Sequence, residues 1–348
     1  MTDTGTHPDI KIFRQIQNRL ESRLTPESDT WIRVCDSTIR LRFAEQTMKE
    51  PLIRAVAHFQ CGPVEDTDLT ILVGDATVCP LPERPYPATA FGRRSELATS
   101  PESGIVASYM MGPDILSMLN QNTATAVYWT RDGDAVPGFE QAAPFRHILH
   151  WYLRDRGWML IHGAAIGRNG KGVLICGKGG SGKSTLAVAT WHAPGWQFAG
   201  DDYCAVSMHA PHRVFPIYST AKLNRGSAAM LTIELDDTSP REGDKVILMA
   251  NDHIPAFVPD VLELTAILIP VRSSGPASSR PTSRASAARQ LIVSTLYQMP
   301  HAGERDHRSL TDLILQIPPW EIAVPEGSPR DALRSIRRVL ESSERMNP

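Results

Sequence analysis

Several features that define secreted, membrane or disulfide-built proteins are missing from this sequence. The first residues lack the basic-then-apolar order of a signal peptide, and no later run reaches the apolar length that spans a bilayer. The five cysteines are scattered and show no CxxC spacing, so they indicate neither a metal site nor a disulfide framework. These cysteines are Cys35, Cys61, Cys79, Cys176 and Cys204. We therefore expect a cytoplasmic protein with reduced cysteines.

The sequence also has little net charge and no internal repeat. A formal net charge of -2 at pH 7 gives no bulk attraction to nucleic acid or to an anionic membrane. With 348 residues and 42% hydrophobic content the chain can bury a sizeable core, and its length favours two domains over one. The sequence does not give the oligomeric state, and a homo-oligomer is compatible with it.

Residues 1–135 carry the pattern of a small α+β domain. Strands are predicted at Thr38–Phe43, Leu69–Val73, Ile105–Tyr109 and Ala124–Trp129. The apolar spacing of Leu52–Phe59 predicts a helix, and the aperiodic stretch Cys79–Gly104 predicts a long loop. No chemistry is visible in these residues, so substrate recognition is the function that they leave open.

Residues 136–348 have a different character and are predicted to form a second, α/β domain. The apolar spacing of Phe145–Leu153 predicts a helix that ends near Gly157, and buried-strand runs follow at Trp158–Ile161 and Val173–Cys176. The sequence GKGGSGKST, residues 177–185, begins directly at the end of the last of these runs.

This glycine loop matches the pattern GxxxxGK[ST], which is the signature of a phosphate-binding P-loop. Glycines allow several backbone N–H groups to converge on phosphate oxygens, and a helix that starts near Lys183 adds its positive end. Lys183 is expected to reach the β- and γ-phosphates, and the Ser184 hydroxyl to bind Mg²⁺. The loop residues expected to bind the nucleotide are Gly177, Lys178, Gly179, Gly180, Ser181, Gly182, Lys183, Ser184 and Thr185.

Two consecutive acids follow the next predicted strand, Trp196–Ala199. In a parallel sheet this strand and the strand before the glycine loop would end at the same edge, which would bring Asp201 and Asp202 to the phosphates. One carboxylate can hold Mg²⁺ and the other can accept the proton of an attacking hydroxyl. We assign the metal role to Asp201 and the base role to Asp202, with an ordinary acidic turn as the alternative.

Taken together, these residues resemble a known family. His162-Gly163, the loop GKGGSGKST and Ala199-Gly-Asp-Asp202 resemble the core of HPr kinase/phosphorylase and the wider group of HPr-kinase-like serine kinases. The resemblance implies a P-loop kinase core of the HPr kinase and phosphoenolpyruvate carboxykinase type, preceded here by the smaller α+β domain. It also implies that one Asp of the pair is the base toward a serine hydroxyl.

The resemblance extends from His162 to Val206 and weakens beyond. The downstream metal-binding Glu and the arginine-glycine signature of HPr kinase/phosphorylase are not found, so loss of the phosphorylase reaction is expected. The order of Tyr218–Asn224, Asp244–Leu248 and Thr265–Pro270 resembles instead the divergent branch that includes kinases tailoring lasso-peptide precursors.

Three further residues are candidates whose roles the sequence leaves open. Lys222, in a predicted strand, either steadies the transferring phosphoryl group or is a solvent-exposed strand lysine. His162 either contacts phosphate, orients Asp202, or is simply hydrogen-bonded at a strand end. Arg272 heads a Ser/Pro/Arg-rich stretch, residues 273–289, that is either a lid closing over ATP or a disordered surface loop, and its composition favours the loop.

The function expected from these residues is ATP- and Mg²⁺-dependent phosphorylation of a serine on a peptide or small protein. The catalytic set is Asp202, Asp201, Lys183 and His162. The alternatives are a kinase for a small-molecule alcohol and a nucleotide-gated binding protein that transfers no phosphate.

Overall fold

The chain is described by a computed structural model over residues 7–81, 86, 88–236, 238–254 and 261–343. It divides into two compact units, one of Met1–Arg156 with Met299–His301 and one of Gly157–Gln298 with Ala302–Pro348. The boundary between the units follows Arg156, which lies after the change in composition that the sequence shows near residue 135. None of the helices in the described ranges combines the length and the apolar content that a bilayer crossing requires.

The first unit is built on a seven-stranded mixed sheet. Its helices are α1 (Pro8–Glu21), α2 (Lys49–Ile53), α3 (Gly138–Ala142) and α4 (Arg146–Arg154). Its strands are β1 (Asp29–Val34), β2 (Ser37–Phe43), β3 (Gln60–Cys61), β4 (Leu69–Asp75), β5 (Ile105–Met110), β6 (Ile115–Asn120) and β7 (Thr125–Thr130). The strand order is β3-β1-β2-β4-β7-β6-β5; β2, β4 and β7 are parallel to one another, and the other pairs are antiparallel.

Local sequence patterns account for most of this unit. The alternation in β2 buries every second residue, as a strand with one core face requires. Phe13, Ile16 and Leu20 lie on one stripe of α1 and pack in the core of the sheet. Strand β6 has no such alternation because all six of its residues are buried, and it is absent from the sequence prediction.

The second unit contains twelve strands and six helices in the described ranges. The strands are β8 (Trp158–His162), β9 (Ala164–Arg168), β10 (Lys171–Ile175), β11 (Gln197–Phe198), β12 (Tyr203–Ser207), β13 (Arg213–Phe215), β14 (Thr220–Asn224), β15 (Arg241–Glu242), β16 (Lys245–Met249), β17 (Leu262–Ser273), β18 (Ser278–Pro281) and β19 (Pro319–Pro325). The helices are α5 (Lys183–Val188), α6 (Arg225–Leu231), α7 (Ala250–His253), α8 (Arg284–Gln298), α9 (Glu304–Gln316) and α10 (Ala332–Ser343). This arrangement and that of the first unit place the chain in the mixed α/β class.

A nine-stranded mixed sheet forms the centre of the second unit, and β14, β16 and β15 form a separate antiparallel sheet. The long strand β17 is parallel to β10 and β19, whereas β9 runs antiparallel to both β10 and β11. The sheet is therefore mixed, and not the parallel sheet in which the sequence analysis placed the strands before the glycine loop and the acidic pair. Strands β10 and β11 nevertheless point the same way, because two antiparallel steps through β9 restore the direction.

Apolar side chains cover both faces of the large sheet. Residues of α5, α6 and α10 pack in one core cluster, and residues of α8 and α9 pack in the other. Residues 278–281 form β18, paired with β19, and residues 284–298 form α8. The interpretation of 273–289 as a disordered loop is wrong, because β18 forms strand pairs with β19 and Ala287 of α8 is buried in the core.

Candidate functional site

The glycine loop follows β10 and turns directly into α5. Gly180 and Gly182 have φ values of 76° and 96°, a left-handed backbone that residues with a Cβ adopt only under strain. No atom lies within 4 Å of a Cβ built at either position, so the backbone conformation, and not crowding, accounts for these two glycines. Helix α5 has only six residues, so the positive helix end expected from the sequence is limited to one short helix.

Lys183 is the first residue of α5, and its side chain is buried beneath the loop. Its ammonium donates to the Gly177 carbonyl at 2.8 Å and to the Lys178 carbonyl at 3.4 Å. Burial lowers the pKa of Lys183 below its ordinary value, while the charges of Asp201 and Asp202 oppose that change. The ammonium is thus a poorly hydrated cation that an incoming anion would stabilise.

The two acids lie in different environments, although they are consecutive. Asp201 is 1% exposed, and its Oδ2 accepts the backbone N–H of Lys222 at 3.1 Å. Its Oδ1 is buried without a hydrogen-bond partner in the described part of the chain. Burial first, and then the charge of Asp202, raises the pKa of Asp201, whereas the Lys222 N–H and the Ser184 hydroxyl act to lower it.

Asp202 carries its carboxylate on a left-handed backbone, at φ 65°, and holds it between two donors. His162 Nε2 lies 3.2 Å from Oδ1, and the Lys222 ammonium lies 2.6 Å from Oδ2. Burial acts to raise the pKa of Asp202, but the hydrogen bond from His162 and the charge of Lys222 outweigh it, so this pKa lies well below its usual range. Asp202 is therefore an ionised and oriented carboxylate.

Lys222 links Asp202 to a hairpin that the sequence did not connect with the site. Its side chain is only 7% exposed, so the interpretation as a solvent-exposed strand lysine is wrong. The ammonium also pairs with Glu242 of β15 at 2.5 Å. Burial acts to lower the pKa of Lys222, but Asp202 and Glu242 together raise it above its ordinary value, so the lysine is charged. Glu242 pairs across the hairpin with Lys245 of β16.

These groups surround a cavity of about 120 Å³. The predicted residues that line it are His162, Gly179, Gly180, Ser181, Gly182, Lys183, Ser184, Thr185, Asp202, Lys222 and Arg272. Three other predicted residues do not line it: Gly177 accepts from Lys183, Asp201 lies behind the wall, and Lys178 is exposed with its backbone N–H bonded to Gln290. Arg272 donates to the Gly180 carbonyl at 3.3 Å and so stands over the glycine loop.

A second cavity, of about 330 Å³, shares Ser181, Gly182, Thr185, Ser227 and Arg272 with the first. Its remaining lining is largely apolar and comes from α6, β19 and the turn after β19. These residues are Met230, Val324, Pro325, Glu326, Gly327 and Pro329. The two cavities are thus adjacent, and together they are called the groove, which is cationic at one end and apolar at the other.

Several residues of the groove were missed by the sequence prediction. Lys245 adds a third lysine beside Lys183 and Lys222, and Asn224 caps α6 by accepting the Ser227 N–H at 2.8 Å. A signal for Asn224 exists in the order Asn-x-x-Ser before an apolar helix, whereas nothing local distinguishes Lys245 from a surface lysine.

The residues present fit Mg²⁺ better than they fit a permanent metal centre. No group of three or more His, Cys, Asp or Glu side chains is arranged around a common point in the described ranges. Mg²⁺ needs few protein ligands, because it keeps waters and takes oxygens from substrate phosphates. The Ser184 hydroxyl and the unpartnered Oδ1 of Asp201 offer the hard oxygen ligands that it prefers.

Comparison with protein-family models and with curated proteins finds no match for this chain. The resemblance noted in the sequence therefore stands on the quoted residues alone, and the function has to be argued from the geometry of the groove.

Proposed function

We propose that this protein is an ATP- and Mg²⁺-dependent kinase that transfers the γ-phosphoryl group to a serine hydroxyl of a peptide or small protein. The observation that carries the proposal is that Lys183 of the glycine loop and the oriented carboxylate of Asp202 line the same cavity. A phosphate donor and a hydroxyl acceptor need these two groups within reach of one another.

The cationic end of the groove supports binding of the triphosphate. Lys183, Lys222, Lys245 and Arg272 all line the small cavity, and their charges would offset those of the β- and γ-phosphates. Backbone N–H groups of the glycine loop would add fixed partial positive charges, apart from that of Ser181, which donates to the Lys178 carbonyl. Helix α5 is too short for its positive N-terminal end to account for triphosphate binding by itself.

The apolar end of the groove supports binding of the nucleoside. Met230, Val324 and Pro325 present hydrophobic surface next to Thr185 and Ser227, whose hydroxyls are 3.1 Å apart. A volume of about 330 Å³ falls in the size range of small-ligand sites. An adenine ring would gain from burial of its faces there, with the phosphates directed toward Lys183.

Ser184 and Asp201 would hold Mg²⁺, Ser184 from the lining of the cavity and Asp201 from beside the Ser184 hydroxyl, with which its carboxylate interacts. When bound, the ion would neutralise negative charge that develops on the phosphates during transfer. Asp201 is suited to this part because its pKa is raised by burial and by the charge of Asp202, both of which a cation would counteract.

Asp202 would receive the acceptor hydroxyl. The serine oxygen forms a bond to the γ-phosphorus, the bond from that phosphorus to the β,γ-bridging oxygen breaks, ADP leaves with the electron pair, and the hydroxyl proton passes to Asp202. Each carboxylate oxygen keeps a free lone pair beside its existing donor, so a hydroxyl can still bind. A lowered pKa makes Asp202 a weak base, which suffices because the transition state of phosphoryl transfer is loose.

The choice of serine as acceptor rests on the resemblance to HPr-kinase-like kinases and to their branch that tailors lasso-peptide precursors. The test is incubation of the full chain with ATP and Mg²⁺, first with the precursor peptide encoded nearest its gene and then with a degenerate serine-peptide library. A mass gain of about 80 Da on serine supports the proposal. Transfer only to free alcohols supports a small-molecule kinase, and ATP binding without transfer to any acceptor supports a nucleotide-gated binding protein.

A further inference from the structure

Gln298, the last residue of α8, lines neither cavity but contacts His162, which does line the smaller one. Its amide nitrogen lies 3.1 Å from His162 Nδ1, and its amide oxygen is hydrogen-bonded to the Tyr203 hydroxyl. His162 Nε2 in turn faces Asp202 Oδ1. Hydrogen bonds thus connect four side chains in the order Tyr203, Gln298, His162 and Asp202.

The positions of the Gln298 amide oxygen and nitrogen set the direction of these hydrogen bonds. The Tyr203 hydroxyl donates to the amide oxygen of Gln298, which leaves the amide NH₂ turned toward His162. An amide NH₂ can only donate, so His162 Nδ1 must accept and cannot carry a proton. The proton of the neutral imidazole therefore lies on Nε2 and is donated to Asp202.

Rigid elements hold both ends of this chain. His162 ends β8 and Tyr203 begins β12, and the two residues are direct partners in the antiparallel pairing of these strands. The His162 backbone N–H also lies 3.3 Å from the hydroxyl of Thr295, which is fully buried one turn before Gln298 on α8. The distance between Gln298 and the imidazole is therefore set by the packing of α8 against β8.

We propose that Gln298 is a positioning residue, which with Tyr203 holds His162 as the neutral Nε2–H tautomer and so fixes the carboxylate of Asp202. The tautomer follows from the contacts alone, whereas its effect on phosphoryl transfer rests on the proposed kinase function. A neutral imidazole orients Asp202 by a hydrogen bond and leaves Lys222 as the charged donor on the other oxygen.

The tautomer can be measured by ¹⁵N NMR of the full chain labelled at histidine, with the His162→Asn variant used to assign the signal. The wild type should show a protonated Nε2 and an unprotonated Nδ1 at pH 7.5. Gln298→Met removes the donor at nearly constant shape and should give a mixture of tautomers. Gln298→Glu supplies an acceptor and should give the doubly protonated imidazolium.

A matched control comes from the same helix. Gln290 also uses its amide, but its amide oxygen accepts the Lys178 backbone N–H at 3.0 Å, and among the described residues it has no hydrogen bond with His162. Gln290→Met should therefore leave the His162 signals unchanged. An Nδ1–H tautomer or an imidazolium in the wild type, or a Gln298→Met spectrum identical to that of the wild type, would overturn the proposal.

A kinetic measurement separates this proposal from the proposed function. With an acceptor that the wild type phosphorylates, Gln298→Met should lower kcat by about 10- to 100-fold through misplacement of Asp202 and leave the KM for ATP unchanged. An unchanged kcat refutes the positioning role. If the wild type transfers no phosphate, the kinase function fails, while the NMR result still decides whether Gln298 fixes the imidazole.

Discussion

Replacing Asp202 by Asn separates phosphoryl transfer from nucleotide binding. Asparagine keeps the shape of the side chain and tolerates the left-handed backbone at this position, so the main chain is not strained. It offers one oxygen and one NH₂ to the two donors His162 and Lys222, which lie 3.2 and 2.6 Å from the present carboxylate. One donor must therefore face another donor, and the proton acceptor is lost.

The magnitude follows from these contacts. Loss of a positioned general base lowers kcat by about 10²- to 10⁴-fold, equivalent to roughly 3–5 kcal/mol in the activation free energy. Lys222 keeps its second partner, Glu242, at 2.5 Å, so the cation remains in place. We therefore expect the Kd for ATP to change by less than about tenfold, since no phosphate contact is removed.

Initial rates with labelled ATP and a phosphorylated acceptor measure kcat, and titration with a fluorescent nucleotide measures the Kd. The control is Glu242→Gln, which makes the same change from carboxylate to amide at the other partner of Lys222, on a side chain that is 45% exposed. It should lower kcat by less than about tenfold, since a half-exposed ion pair contributes little. If Asp202→Asn retains transfer within threefold of the wild type, or loses ATP binding in parallel with transfer, the base assignment is wrong.

Three further predictions concern binding and stability. Lys183→Met should weaken ATP binding by about 100-fold or more, measured as Kd, because a buried charge-assisted contact is worth roughly 3 kcal/mol; an unchanged Kd would place the phosphates elsewhere. His150 is fully buried, neither ring nitrogen has a hydrogen-bond partner among the described residues, and burial lowers its pKa to about 3. In the folded protein His150 stays neutral well below pH 6.5, whereas in the unfolded chain it takes up a proton below that pH. The unfolding free energy therefore falls as the pH drops below 6.5. Between pH 7.5 and 5 the wild type should therefore lose about 2 kcal/mol more unfolding free energy than His150→Leu, measured by urea denaturation; parallel pH profiles would contradict the burial argument. Asp29→Asn should lower the unfolding free energy by about 1–3 kcal/mol, because it removes a carboxylate that is 2% exposed and leaves Arg40 and Arg42 without their anionic partner. A change below 0.5 kcal/mol in the same assay would show that these ion pairs are dispensable.

The sequence predicts those parts of the fold that local patterns specify. Alternation in Thr38–Phe43 predicts a strand, and the apolar spacing of Phe145–Leu153 predicts a helix. The structure confirms both elements as β2 and α4, although α4 is buried on every face, from His147 to Leu153. Strand β6 and strand β18 were missed for opposite reasons. The first is buried on both faces and has no period, and the second has a disorder-like composition but pairs with β19, which lies far along the chain.

By itself the sequence determined the glycine loop, its place directly after a buried strand, and the acidic pair that follows. These are local features, because backbone freedom at glycine and the burial of a short run depend on neighbouring residues. Only the tertiary structure decided that Asp201 is buried behind the cavity while Asp202 lines it between His162 and Lys222. Only the structure added Glu242, Lys245 and Gln298. The physical reason is that desolvation and charge pairing depend on which side chains meet in space, and these partners come from strands and helices far apart in the chain.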